Sequence, residues 1–268
     1  MSTSLMTLRQ EIGLDLNECH VGTIASPTIT SFVDATLIDY GGSGNAKIEG
    51  AWVLVTSGTG AGALRRVLTY NDETGQVTLS RAWTSPVVAS YELHTLLSPV
   101  DLKRAVNAGL TRCFYLDRQE ITAVAAQREY SLAAYTWLTE DKQVCQVLWK
   151  QGDTANQRRY PPVLWWKVSS DAGLLTLHVD PANVVSGSAY VLVAIHPYDE
   201  LSTDAATTAC PVEWAKAAAM VGVYRYLSRN DPAQDSERLK RWQAEATAVL
   251  FEKDRRYMPR PVTYVRLA

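Results

Sequence analysis

Hydrophobic spacing along the chain switches between two periods, and the switches divide it. In residues 3–15, Leu5, Leu8 and Ile12 fall at helical spacing and predict a short amphipathic helix, too short to stand alone in water. From residue 17 to 97 the period drops to two. FVDATLID, AWVLVTS, ALRRVLTY, QVTLSRAW and SYELHTL alternate or run apolar, with turns at the glycine-rich stretch 41–45 and at Asn71–Gly75. Ser98-Pro99-Val100-Asp101 is a cap-plus-proline signal. It predicts a helix over 99–116 that buries Leu102, Ala105, Val106, Leu110 and Cys113 or Phe114. A second β region follows, in QEITAV, REYSL, VCQVLWK, RYPPVLWWKVSS, GLLTLHVD and AYVLVAIHP, with turns at Gly152-Asp153, Asp171–Gly173 and Ser186–Ser188.

The linking stretch YDELSTDAATTA leads to two long helices read back to back. The first, 211–228, opens with Pro211 and Glu213. Ala215, Ala218, Ala219 and Gly222 give it a small-residue surface, while Val212, Trp214, Val221, Val223 and Tyr226 occupy its other sides. A helix apolar all round needs neighbours all round, which points to other subunits as well as its own chain. The second, 232–254, has Asp231 as N-cap, Pro232 at the first position and Gln234 at the capping-box position. Its apolar stripe is Leu239, Trp242, Ala246, Val249 and Leu250, with Glu237/Arg241 and Glu252/Arg256 spaced as ion pairs on the wet side. Two prolines in MPRPVTYVRLA predict an extended C-terminal arm.

The chain therefore reads as α+β: a helical bundle of about four helices with two inserted antiparallel β modules and the arm. The boundaries are an N-terminal helix (1–17), a β module (18–97), a bundle helix (98–117), a second β module (118–198), a terminal helix pair (199–256) and the arm (257–268). Trp214, Ala218, Gly222, Tyr226, Leu239, Trp242 and Leu250 are the residues expected at bundle or subunit contacts.

Charge changes this picture at one end. The net charge is −2, but the last sixteen residues carry +4 through Lys253, Arg255, Arg256, Arg260 and Arg266 against Asp254, leaving −6 on residues 1–252. An acidic body with a basic tail argues against a general nucleic-acid coat and for a tail that meets something acidic. Arg255, Arg256, Tyr257, Met258, Arg260, Tyr264, Arg266 and Leu267 are the candidate docking residues of that arm. The four scattered cysteines read as free thiols of a reducing compartment, and neither a leader pattern nor a membrane-length apolar run is found.

Motifs for chemistry are weak. Gly58-Thr59-Gly60-Ala61-Gly62-Ala63 fits G-x-G-x-x-A, but only about seven residues separate it from the next turn, too few for the crossover helix of a dinucleotide fold. His20, His94, His178 and His196 lie far apart with no nucleophile-elbow serine beside them, and read as satisfied or surface histidines. Trp137, Tyr160, Trp165 and Trp166 could form an aromatic platform for sugar, although adjacent strand residues face opposite sides and only one of Trp165 and Trp166 can point inward.

The order of these parts resembles the head-to-tail connector, or neck adaptor, proteins of tailed bacteriophages. The similarity is carried by LMTLRQEIG, by WVLVTSGTGAGALRRVLTYNDETGQVTLSRAW with SYELH, by SPVDLKRAVNAGLTRCFY, and by PVEWAKAAAMVGVYRYL with its charged last helix. The resemblance implies a structural, non-enzymatic virion protein without cofactor, made in the bacterial host cytoplasm. It implies a homo-oligomeric ring, twelve-fold in such adaptors, bound to the portal on one side and to a tail or neck protein on the other. DNA would pass through its channel without sequence-specific contact, and no membrane is involved. The rival expectations are a carbohydrate- or receptor-binding β module of a tail protein and a nucleotide-dependent enzyme using Gly58–Gly62.

Overall fold

A computed structural model describes residues 2–40, 48–84, 88–150, 160–180, 188–230 and 236–257, with side chains given outside 228–239. The protein is a mixed α and β chain with four helices and several antiparallel sheets. It divides into two compact units, Met1–Leu110 with Asp199–Lys253, and Thr111–Tyr198 with the remainder of the C-terminus.

The first unit begins with a two-residue strand, β1 (Thr3–Ser4), and helix α1 (Leu5–Asp15). Ser4 caps α1 by accepting from the Thr7 N–H at 3.1 Å. Strands β2 (Cys19–Thr23), β3 (Ser31–Val33), β4 (Trp52–Val55), β5 (Leu64–Asn71), β6 (Gln76–Leu79) and β7 (Ser90–His94) form one antiparallel sheet in the order β2-β7-β4-β5-β6-β3. Beyond β2, Ala25 exchanges both backbone hydrogen bonds with Val33 of β3, at 2.8 and 2.9 Å. That short seam closes the sheet into a small barrel, whose interior holds Phe32, Val53, Val67, Val77, Tyr91 and Leu93 among others.

Helix α2 (Pro99–Leu110) follows, capped by Ser98, whose Oγ accepts from the Asp101 N–H. It is shorter than the spacing predicts. Phe114, Tyr115 and Leu116 belong to strand β8 (Phe114–Thr122), because that segment pairs residue for residue with a later strand instead of extending the helix. The 98–117 boundary thus merges a helix and the start of a sheet.

Strand β8, with β9 (Glu129–Ser131), β10 (Val144–Lys150), β11 (Trp166–Asp171), β12 (Leu174–Val179) and β13 (Ala189–Pro197), builds the second unit as two three-stranded antiparallel sheets, β10-β13-β8 and β11-β12-β9. One core takes side chains from both sheets, including Val147, Tyr190 and Leu192 from the first and Val168, Leu177 and Val179 from the second. RYPPVLWWKVSS is not one strand: Pro161–Val163 pairs with the edge of β10, and β11 starts only at Trp166. The turn expected at Gly152-Asp153, most of that at Ser186–Ser188 and the stretch 41–45 lie outside the described residues.

The chain returns to the first unit through β14 (Thr207–Thr208), which pairs with β1, then α3 (Val212–Asn230) and α4 (Ser236–Tyr257). Helices α1, α2 and α3 pack on one another, most extensively α2 on α3. Gly109 makes that contact possible: a Cβ there would lie 2.7 Å from the Ala219 backbone nitrogen. Among the described residues the close helix contacts are those of α1, α2 and α3, and the four-helix bundle expected from the sequence is not confirmed, while large apolar clusters lie in both β modules. The start signals at Asp231, Pro232 and Gln234 fall outside the described residues. On the wet side of α4 the observed pair is Arg241 with Glu245, at 3.1 Å.

The outer face of the barrel carries a buried charge network. In β7, Tyr91 and Leu93 point into the barrel, so Glu92 and His94 point out, and α1 covers them. Arg9 on α1 donates Nε and Nη2 to the Glu92 carboxylate at 2.6 and 3.0 Å, and Nη1 and Nη2 to Asp204 at 2.7 and 3.0 Å. His94 Nε2 lies 3.0 Å from Glu92, and its Nδ1 faces Glu18 at 3.8 Å. Glu18 in turn accepts from the Leu96 and Leu97 N–H groups. Burial opposes the His94 charge, but Cys19, Glu18 and Glu92 outweigh it and push its pKa up to about 11. Burial likewise opposes ionisation of Glu92, and His94 and Arg9 nevertheless hold it below the usual carboxylate range.

Two outcomes follow from this network. Arg9→Met leaves Glu92 buried without its main cation and is expected to cost about 3–5 kcal/mol in urea unfolding; a loss under about 1 kcal/mol would show that the network contributes little. A histidine whose folded pKa is raised to about 11 adds stability that is complete below the ordinary value near 6.5 and lost on the way up to 11. The unfolding midpoint is therefore expected to fall between about pH 7 and 9.5, and His94→Gln to flatten that slope, measured as the difference between the two proteins.

Candidate functional site

The described residues offer one apolar groove at the protein's longest helices. Alternation of small and large side chains on α3 puts Ala217, Met220 and Tyr224 along one wall, and Trp242, Ala246 and Val249 of α4 form the other. The groove measures about 360 Å³. Its helices are tied at one end by Lys253 Nζ donating to Glu213 at 2.7 Å, and toward the other by the Tyr224 and Trp242 rings, 6.0 Å between centroids. Asp15 at the end of α1 joins the rim and holds Lys216 at 2.9 Å, with Glu11 at 3.6 Å from the same nitrogen. Burial, then the Glu245 and Asp15 carboxylates, push the Tyr224 hydroxyl pKa up, the direction an acidic rim produces.

The residues expected at packing surfaces fall in different places. Trp214 and Ala218 are buried within the chain, and Leu250 is buried on α4. Gly222 is half-buried, and a Cβ there would lie 3.9 Å from the Cα and Cβ of Ala105 on α2. Trp242 is half-buried at the groove instead of sitting in a core, and Val249 is 47% exposed. Tyr226 is 43% exposed and directs its hydroxyl to Asp101 at 3.4 Å. The Leu239 side chain lies outside those described. Of the arm, Arg255, Arg256 and Tyr257 form the last turn of α4, with the Arg256 guanidinium 5.2 Å from the Tyr257 ring centroid. Met258, Arg260, Tyr264, Arg266 and Leu267 lie outside the described residues.

The glycine loop joins β4 to β5, which are antiparallel neighbours, with Gly58 and Gly62 at positive φ of 74° and 86°. A dinucleotide fingerprint needs a parallel strand–helix–strand unit instead. A cavity of about 470 Å³ does lie between this loop and the start of α2. Its cations are engaged, Arg9 by two carboxylates and Lys103 by the Ser202 carbonyl, and Asp101 in the first turn of α2 opposes an anion.

All four histidines have partners. His20 Nε2 is 3.0 Å from Thr36 Oγ1, and His196 Nδ1 is 2.6 Å from the Pro197 carbonyl. His94 sits in the buried network. His178 shows what sequence reading missed: Ser169 Oγ is 2.7 Å from its Nε2, and Glu129 is 3.4 Å from its Nδ1. The order serine, histidine, carboxylate is that of a hydrolase triad. Here the three stand on adjacent strands of the outer face of β11-β12-β9, with Glu129 70% exposed, as cross-strand polar pairs do. Pairing strand residues two apart was the only signal available for it.

Trp166, the first residue of β11, packs toward the second unit's core, and Trp165, in the bend before it, is half exposed. Trp137 lies over His196, 4.4 Å between centroids, and Tyr115 stacks on that ring's plane at 5.0 Å. Cys19, Cys113 and Cys210 are buried free thiols and Cys145 is half-buried. Among the described residues no group of histidine, cysteine and carboxylate side chains could hold a metal ion, and no helix is long and apolar enough to cross a membrane.

With the cations beside the glycine loop engaged and no parallel strand–helix–strand unit, titration of the protein with NAD, FAD and ATP is expected to give no heat of binding. Saturable micromolar binding that disappears in Gly60→Val would overturn this. The chain matches no protein-family model, and no curated protein is similar to it.

Proposed function

We propose that this protein is a structural virion component, a head-to-tail connector whose copies assemble into a ring between the portal and the tail. The observation that carries the reading is the open apolar groove between α3 and α4, set in a unit whose other three helices satisfy one another. A helix that keeps Val249 and Phe251 47% and 59% exposed is suited to packing against another molecule. In this reading α1, α2, α3 and α4 act as a four-helix bundle completed by neighbouring copies, with the β modules as insertions between its helices in the chain, and DNA passes through an axial channel. The basic arm, residues 257–268, reaches the portal ring or the adjacent subunit.

A second reading keeps a place for the β modules. Leu164 is 94% exposed and Trp165 50%, at the tip that follows Tyr160. An exposed tryptophan of this kind suits a sugar or receptor surface on a tail protein. Binding to a glycan array that Trp165→Ala removes would favour it.

Negative-stain images of the purified protein, alone and with portal-bearing heads, test the main reading. Rings of uniform diameter are expected. Deleting residues 257–268 should leave the monomer's melting temperature unchanged and abolish stable attachment to heads. A strictly monomeric protein that leaves heads undecorated would sink the connector reading.

A further inference from the structure

We propose that the groove between α3 and α4 is the seat of the C-terminal segment, residues 258–268, of a neighbouring copy; the inference rests on the ring reading and names the partner of that surface. Chemistry on the two sides matches. The groove wall is apolar at Met220, Tyr224, Trp242 and Val249, and the segment offers Val262, Tyr264, Val265 and Leu267. Among the described residues, the groove's lining places the carboxylates of Asp15, Glu213 and Glu245 beside Lys216 and Lys253, so acidic groups stand along its rim. The segment has Arg260 and Arg266 and no acidic side chain.

Where the described chain ends decides between copies. Helix α4 forms one wall of the groove and runs on to Tyr257, so the segment begins just past the groove's Lys253 end. Pro259 and Pro261 bias the residues before them away from helical conformation and toward extended backbone. A segment with that extended bias would need a sharp reversal at its root to lie on its own groove, and needs none to meet a neighbour's. Reach is ample. The eleven residues span about 34 Å at roughly 3.1 Å each, while the α4 wall from Trp242 to Lys253 is about 17 Å long. A segment that leaves one copy and seats in the next makes a heterologous contact, the kind that closes into a ring when repeated.

The test places a photo-crosslinking benzophenone amino acid at Tyr264 in the full chain and mixes copies grown in ¹⁴N and ¹⁵N media. Mass spectrometry after irradiation is expected to show mixed-isotope peptide pairs joining residue 264 to 213–224 or 242–253. Ala246→Arg, which fills the groove and adds a cation, should lower that yield at least tenfold without changing the melting temperature. Should it fail to fold, Val249→Arg at the exposed mouth makes the same measurement. Pairs within one copy only, pairs to other surfaces, or a yield unmoved by these substitutions would overturn the proposal. Rings that persist with crosslinks elsewhere sink it and spare the connector reading; an unassembled protein with no intercopy pairs sinks both.

Discussion

The first unit is organised by one constraint: two ionised side chains project from a barrel strand into a place where water does not reach. Glu92 and His94 are fully buried, and each would be costly to charge alone. Arg9 is what makes the arrangement tenable, because its planar guanidinium meets Glu92 and Asp204 with separate edges. Three segments distant in the chain, α1, β7 and the loop at 204, are thereby held in one geometry. The pairing of β1 with β14 reinforces the same union, since Leu5 and Met6 also donate backbone hydrogen bonds to Ala206 and Asp204. An apolar cover over β7 could slide on the barrel; a forked, hydrogen-bonded one has a single register.

Against that framework, what was legible in the sequence divides by range. The four helices and the division into two β regions were legible, because each rests on local periodicity and on caps such as Ser98 with Pro99. The buried network was not. SYELH alternates as a half-wet strand does, and nothing local says that Glu92 and His94 lie beneath a helix some eighty residues earlier in the chain. The helix read through 99–116 failed at Leu110 for a similar reason: CFYL is apolar enough for either state, and pairing with β13 decides it. The groove was half visible. Trp242 and Ala246 were read on one stripe, but whether a stripe is filled depends on the separation of two helices, which no single helix encodes. Ser169, His178 and Glu129 needed a strand register that sequence does not supply.

The small-residue surface of α3 also has a cause beyond helix propensity. Gly109 and Ala219 bring two backbones together, so α2 and α3 gain close contact at the cost of tolerance. Gly13 plays the same part between α1 and β2, where a Cβ would sit 2.4 Å from that of Cys19. The helices of this unit are thus fixed by what is missing from their surfaces as much as by what is present.

The seam between Ala25 and Val33 carries a consequence for how copies can meet. The exchange of Ala25 with Val33 joins the two ends of the sheet at one point, and leaves less open edge onto which a neighbouring strand could be added. Association through this module then falls more to side chains, patch by patch, and can be revised one residue at a time. Backbone pairing would instead accept almost any extended partner. A surface written in side chains discriminates between partners where a bare strand edge does not.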